Sequence, residues 1–172
     1  KGIQPDITLP TTWDIEQIGE SSYDTALPWD EIKPVSFKKF SMESSLISRL
    51  NDEHLKRVNQ DPNLQYILDV RKRYDEQKNK KEISLNFINR TIEKEERQSW
   101  ALDIENKRRA SLNLEIFNSY KAMEDNNDAK QSEDDGKEYD IDLDDDYLLI
   151  EGTQILTDYI MLNQNIYLSI AG

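Results

Sequence analysis

The chain has 172 residues, a net charge of −13, no cysteine and a single histidine, His54. Without thiols there is no disulfide and no thiolate metal site. One imidazole excludes a multi-histidine metal centre or a two-histidine mechanism. The 33% of charged residues against 36% of hydrophobic ones leaves room only for a modest, largely helical core in one ordinary domain or a domain plus an arm.

The acidity is concentrated. Residues 124–146 hold 12 acids and 2 bases, a net of −10, out of the chain's 35 and 22, so the rest carries only −3. A nearly neutral folded part argues against nucleic acid as a partner, since phosphate binding needs a basic surface. No apolar run approaches the roughly 20 residues of a membrane span. The start at Lys1 rather than Met suggests excision from a longer protein, in which case a missing signal peptide says nothing about location.

Residues 1–10 alternate weakly, with Ile3, Ile7 and Leu9 apolar between Pro5 and Pro10, and read as a short edge strand or extended arm. Residues 11–40 form a connector rich in proline and aromatics, without a clear period. Its centre, Gly19-Glu20-Ser21 followed by Asp24 and Ala26-Leu27-Pro28-Trp29-Asp30, joins a rigid proline to a large apolar plate that some neighbour must cover. Its simplest role is a clasp that pins an adjoining domain. Ser36 and Lys39 fall in a Ser-x-x-Lys spacing that some hydrolases use, but no oxyanion-hole glycines follow, and the spacing is read as chance.

Residues 43–59 read as a helix with Ile47, Leu50, His54 and Val58 on one face and Leu46 and Leu55 beside it. His54 is read as a packed structural histidine. Asp61-Pro62 marks a helix restart with an acidic cap and proline in the first turn. The next helix spans 62–78, with Leu64, Ile67, Leu68, Arg71 and Tyr74 as its inner stripe. A basic turn follows. Residues 82–87 suit either a short strand or a cap at Ser84 for a helix starting at Leu85. That third helix, near 85–110, carries Leu85, Ile88, Ile92, Trp100 and Ile104 on one face and a solvated charged face elsewhere. Asn89-Arg90-Thr91 spells a glycosylation sequon, discounted within a helix. Leu112, Leu114 and Ile116 alternate with polar residues, as in a short strand over 112–116 or a ragged helix end.

Residues 124–145 read as an acidic, mobile linker. Asp140, Asp142 and Asp144 resemble the opening of a calcium loop. Asp145 stands where an EF-hand needs glycine, however, and Glu151 at the twelfth position lacks the flanking helices, so no cofactor or metal is assigned. A final apolar helix over 146–162 packs back on the others through Leu148, Ile155, Tyr159 and Leu162. The tail to Gly172 is an edge strand or loose end. The domain plan is therefore an N-terminal strand (1–10), a connector (11–40), a helical domain (41–123), an acidic linker (124–145), and a last helix and tail of the same domain (146–172).

Several of these stretches resemble the tail-specific, or carboxy-terminal processing, proteases of the bacterial envelope. Gly2-Ile3-Gln4-Pro5-Asp6-Ile7-Thr8-Leu9-Pro10 is similar to the last strand of their catalytic core. The Gly19 to Asp30 segment looks like the stretch after that core. Asp61-Pro62 and Ile83-Ser84-Leu85-Asn86-Phe87 resemble marks of the C-terminal helical domain. The resemblance implies a periplasmic serine protease with a Ser/Lys dyad and a PDZ domain that selects proteins by their C-termini. Those elements would precede this chain, so no catalytic residue carries over. The implied role is a non-catalytic brace of the protease core that shapes access for protein substrates or an envelope adaptor, docked through Ile7, Leu9, Leu27, Pro28 and Trp29. Recognition of Ile170-Ala171-Gly172 as a substrate tail is a further expectation of the same kind. The alternative is an independent helical protein–protein interaction module of the bacterial envelope.

Overall fold

In a computed structural model, the structure describes residues 5–12, 19, 22–27, 33, 35–36, 44–134 and 146–170. Five helices account for most of them: α1 (Ser44–Gln60), α2 (Pro62–Lys78), α3 (Phe87–Ser111), α4 (Tyr120–Asp134) and α5 (Tyr147–Ile170). Helix α1 packs against both α2 and α5, and α3 packs against both α2 and α4.

In α1 the buried residues Leu46, Leu50, His54 and Val58 recur every four positions, which keeps them on one helical face. The expected face had Ile47 at its head. Instead Leu46 is buried, Ile47 is half-buried, and Leu55 faces solvent. The boundary with α2 is where the sequence places it. The Asp61 side chain accepts from the Asn63 and Leu64 backbone N–H groups at 2.7 and 3.4 Å, and Pro62 fills the first turn, where its missing N–H is harmless. Among the described residues Leu64 is the most completely buried large side chain, and with Ile104 of α3 it extends the core begun by α1.

The start of α3 differs slightly from expectation. Asn86 rather than Ser84 is the cap, accepting from Ile88 and Asn89 N–H at 2.9 and 3.3 Å. Ser84 supports it by accepting from the Asn86 N–H at 3.2 Å. At the other end, Asn113 has φ 56°, the left-handed conformation that asparagine tolerates best among non-glycine residues. It allows Leu114 N–H to reach the Arg109 carbonyl at 2.8 Å and Asn113 N–H the Ala110 carbonyl at 3.2 Å, the paired bonds of a Schellman ending. The alternation of Leu112, Leu114 and Ile116 is therefore a helix exit. Among the described residues there is no strand at 5–12, 82–87 or 112–116.

The exit turns back at once. Asn106 clamps the Phe117 backbone, accepting its N–H at 2.8 Å and donating to its carbonyl at 2.9 Å, and the Arg109 guanidinium lies 4.3 Å from the Phe117 ring centre. The chain then starts α4, where Ser119 Oγ accepts from Ala122 N–H at 3.2 Å. The first part of the stretch read as an acidic linker is thus helical to Asp134. It has no apolar stripe to announce it. The serine cap, the good helix formers Lys121, Ala122, Met123 and Glu124 of its first turns, and contact with α3 set it up. Helix α5 is capped by Asp146, and its backbone runs to Ile170, past the expected end at Leu162 and through most of the tail.

Gly152 lies inside α5, where a methyl group would meet nothing within 4 Å. Gly152→Ala is accordingly expected to raise folding stability by about 0.5–1 kcal/mol through lower unfolded-state entropy. A urea-unfolding midpoint that stays put or falls would refute this.

Candidate functional site

Helix α5 contains two acids, Glu151 and Asp158, and no base. Both acids face α1. Glu151 is 3% exposed and accepts from His54 Nδ1 at 2.7 Å and from Arg57 Nε at 3.0 and 2.9 Å through its two oxygens. Asp158 accepts from Arg57 Nη1 at 2.6 Å. Glu151, followed by Asp158, raises the affinity of the Arg57 guanidinium for its proton, against the opposing effect of partial burial. His54 is itself 2% exposed. The spacing that puts His54 on the core row also puts Arg57, three residues on, at the edge of the same interface. The cluster therefore ties α1 to α5 with charge-assisted bonds between residues 94 to 101 positions apart. As expected for a structural histidine, the ring is enclosed and committed to one carboxylate.

A second hub joins α3, α2 and α5. Arg108 forks onto Glu105, with Nε and Nη2 at 2.9 and 2.7 Å from its two oxygens. Its Nη1 donates to Asn63 Oδ1 at 2.9 Å and to Tyr147 Oη at 2.8 Å. The guanidinium also lies over Tyr66 and Tyr147, 5.4 and 5.8 Å from the ring centres. Burial, with the nearby Glu105 charge, pushes the Tyr66 phenol above its ordinary pKa, while Arg108 works against that rise.

Of the residues expected to dock a neighbouring domain, Ile7 and Leu9 are half-buried and Leu27 is 79% exposed. Pro28 and Trp29 lie outside the described residues, as do Lys39, the acidic residues 140–145, and the Ala171-Gly172 end. Ser36 is exposed. Glu151, the twelfth position of the calcium-like pattern, is already engaged by His54 and Arg57, and no metal-binding cluster of His, Asp or Glu occurs among the described residues. Asn89 of the sequon donates to Ser84 Oγ at 3.2 Å. No helix among the described residues is long and apolar enough to cross a membrane.

The two charged hubs were missed in the sequence, yet α5 carried a signal. Two carboxylates on a helix without a single base, if buried, must find their cations on another element.

The family described as the C-terminal domain of tail specific protease (DUF3340) matches residues 13–161. A tail-specific protease of Haemophilus influenzae (strain ATCC 51907 / DSM 11121 / KW20 / Rd) is 27% identical over 168 residues, which cover 96% of this chain and 22% of that protein. The chain thus spans about a fifth of the length of this curated relative. No solved structure matches. With the family covering α1 to α3, α4 and most of α5, the chain belongs to the family of C-terminal domains of tail-specific proteases.

Proposed function

We propose that this chain is the non-catalytic C-terminal helical domain of a periplasmic serine protease that degrades or processes proteins selected by their C-termini. The chemistry belongs to a Ser/Lys dyad in the preceding core. This domain braces that core and shapes access for substrates or an envelope adaptor. The family match over residues 13–161, beside a relative of which the chain covers only 22%, carries the reading. In it, residues 1–10 complete the last strand of the core, 11–40 connect, and 41–123 with 146–172 form the brace across the acidic stretch 124–145. Ile7, Leu9, Leu27, Pro28 and Trp29 dock on the core and PDZ domain. The 79% exposure of Leu27 supports an absent neighbour and weighs against a self-contained interaction module, which would bury it.

The test is cleavage of an unstructured protein with an apolar tail. Removing this domain from the full-length protease is expected to lower kcat/KM on the order of 100-fold, the scale set by misplacing catalytic groups by about 1 Å. Adding the domain in trans should restore activity, and the domain alone should cleave nothing. Cleavage by the domain alone would overturn the reading and send attention back to Ser36, Lys39 and His54.

A further inference from the structure

The N-terminal end of α3 presents an apolar edge that nothing among the described residues covers. Leu85 is 98% exposed and Phe87 83%, and Ile83, Ile88 and Ile92 flank them, each at least 48% exposed. The overhang follows from helix register. Arg73 of α2 lies 5.5 Å from the Trp100 ring of α3, and Lys107 pairs with Asp69 at 3.4 Å, so the helices run antiparallel. Counting from that crossing to Phe87 and to Lys78, α3 projects beyond the end of α2 by about eight residues, roughly 12 Å at the α-helical rise.

The edge is held in one shape although no described residue covers it. Ser84 Oγ accepts from Asn86 N–H and from Asn89 Nδ2, both at 3.2 Å, Asn86 caps the helix, and Thr91 Oγ1 donates to the Phe87 carbonyl at 2.9 Å. Five exposed apolar side chains within ten residues, on a fixed frame, mark a candidate interface. Just ahead of it, Lys80 and Lys81 are exposed, with Glu82 beside them.

We infer that this edge is a second docking surface for the catalytic part of the same polypeptide, received by an apolar patch bordered with carboxylates. The inference rests on the reading of the chain as one domain of a longer protease. Two observations select that occupant. The relative carries about four-fifths of its length outside the region matched here. A tethered neighbour is also present at an effective concentration that a free partner rarely reaches. The basic flank adds the charge sign that the receiving patch must complement.

The experiment uses the full-length protease with Phe87 replaced by p-benzoylphenylalanine, irradiated and mapped by mass spectrometry, alongside the same probe at Leu27. The expected result at Phe87 is an adduct at the mass of one chain, joined to residues outside this domain and lost on adding Leu85→Glu. An adduct between two chains, one to lipid or to another protein, or no adduct at all would overturn the proposal. If the probe at Leu27 joins the core while that at Phe87 does not, the second surface fails and the brace stands. If neither joins it, both fail.

Discussion

Glu151→Ala is expected to cost the domain about 3–5 kcal/mol, the penalty for leaving a buried ionic group without its partner. The geometry explains the size. One carboxylate, 3% exposed, receives His54 Nδ1 at 2.7 Å and Arg57 Nε at 2.9 Å on its nearer oxygen. Alanine strands both donors between α1 and α5. The Arg57 side chain is 27% exposed and keeps Asp158, so water and the remaining acid compensate it in part. His54, at 2% exposed, has no such recourse. The core itself is small, with Leu46, Leu50, Val58, Leu64 and Ile104 its buried apolar side chains among the described residues. A loss of this size is thus a large share of the roughly 5–15 kcal/mol that domains possess. Glu151→Gln keeps the shape and one acceptor and should cost less. Urea unfolding of the three proteins decides the matter: a loss below about 1 kcal/mol for alanine would mean that the cluster is solvated and does not hold α5.

The sequence conveyed those parts of the fold that depend on short-range physics. Asp61-Pro62 announced the start of α2, because a carboxylate cap and a donorless first turn are local chemistry. The three- and four-residue spacing of Ile47, Leu50, His54 and Val58 announced α1, though not that Leu46 heads the buried row. Two kinds of feature escaped. Helix α4 offers neither stripe nor proline, only residues content to be helical beside α3, so its acidic composition read as a linker. The hubs around Glu151 and Arg108 join positions up to 101 apart in sequence, a pairing that no window of neighbours contains. The exposed end of α3 is instructive in another way. Leu85, Ile88 and Ile92 fit one helical face, but periodicity states only that a face is apolar. Which body covers it depends on where α2 ends.

Arg108→Ala is the second large effect, also about 3–5 kcal/mol, because it unties three helices at one point. Glu105, with a side chain 12% exposed, would keep only Arg109 Nη1, at 3.9 Å. Asn63 at the start of α2 and Tyr147 at the start of α5 would lose the donor that joins them, and two aromatic rings would lose a cation. Arg108→Lys separates charge from shape. An ammonium retains the charge but cannot span both Glu105 oxygens while reaching Asn63 and Tyr147. Lysine should therefore recover only part of the loss, and full recovery would show that a point charge is enough. An alkaline signature accompanies the change. Because burial holds Tyr66 above its ordinary pKa of about 10, the folded chain keeps a proton that the unfolded chain releases there, and stability falls as pH rises through that window. Arg108 is the positive charge that limits this rise. Without it the Tyr66 pKa climbs further, so the loss of stability from about pH 10 upward should extend to higher pH than in the parent. Urea unfolding of both proteins across this range measures it, and an unchanged pH slope would show that Arg108 does not act on Tyr66.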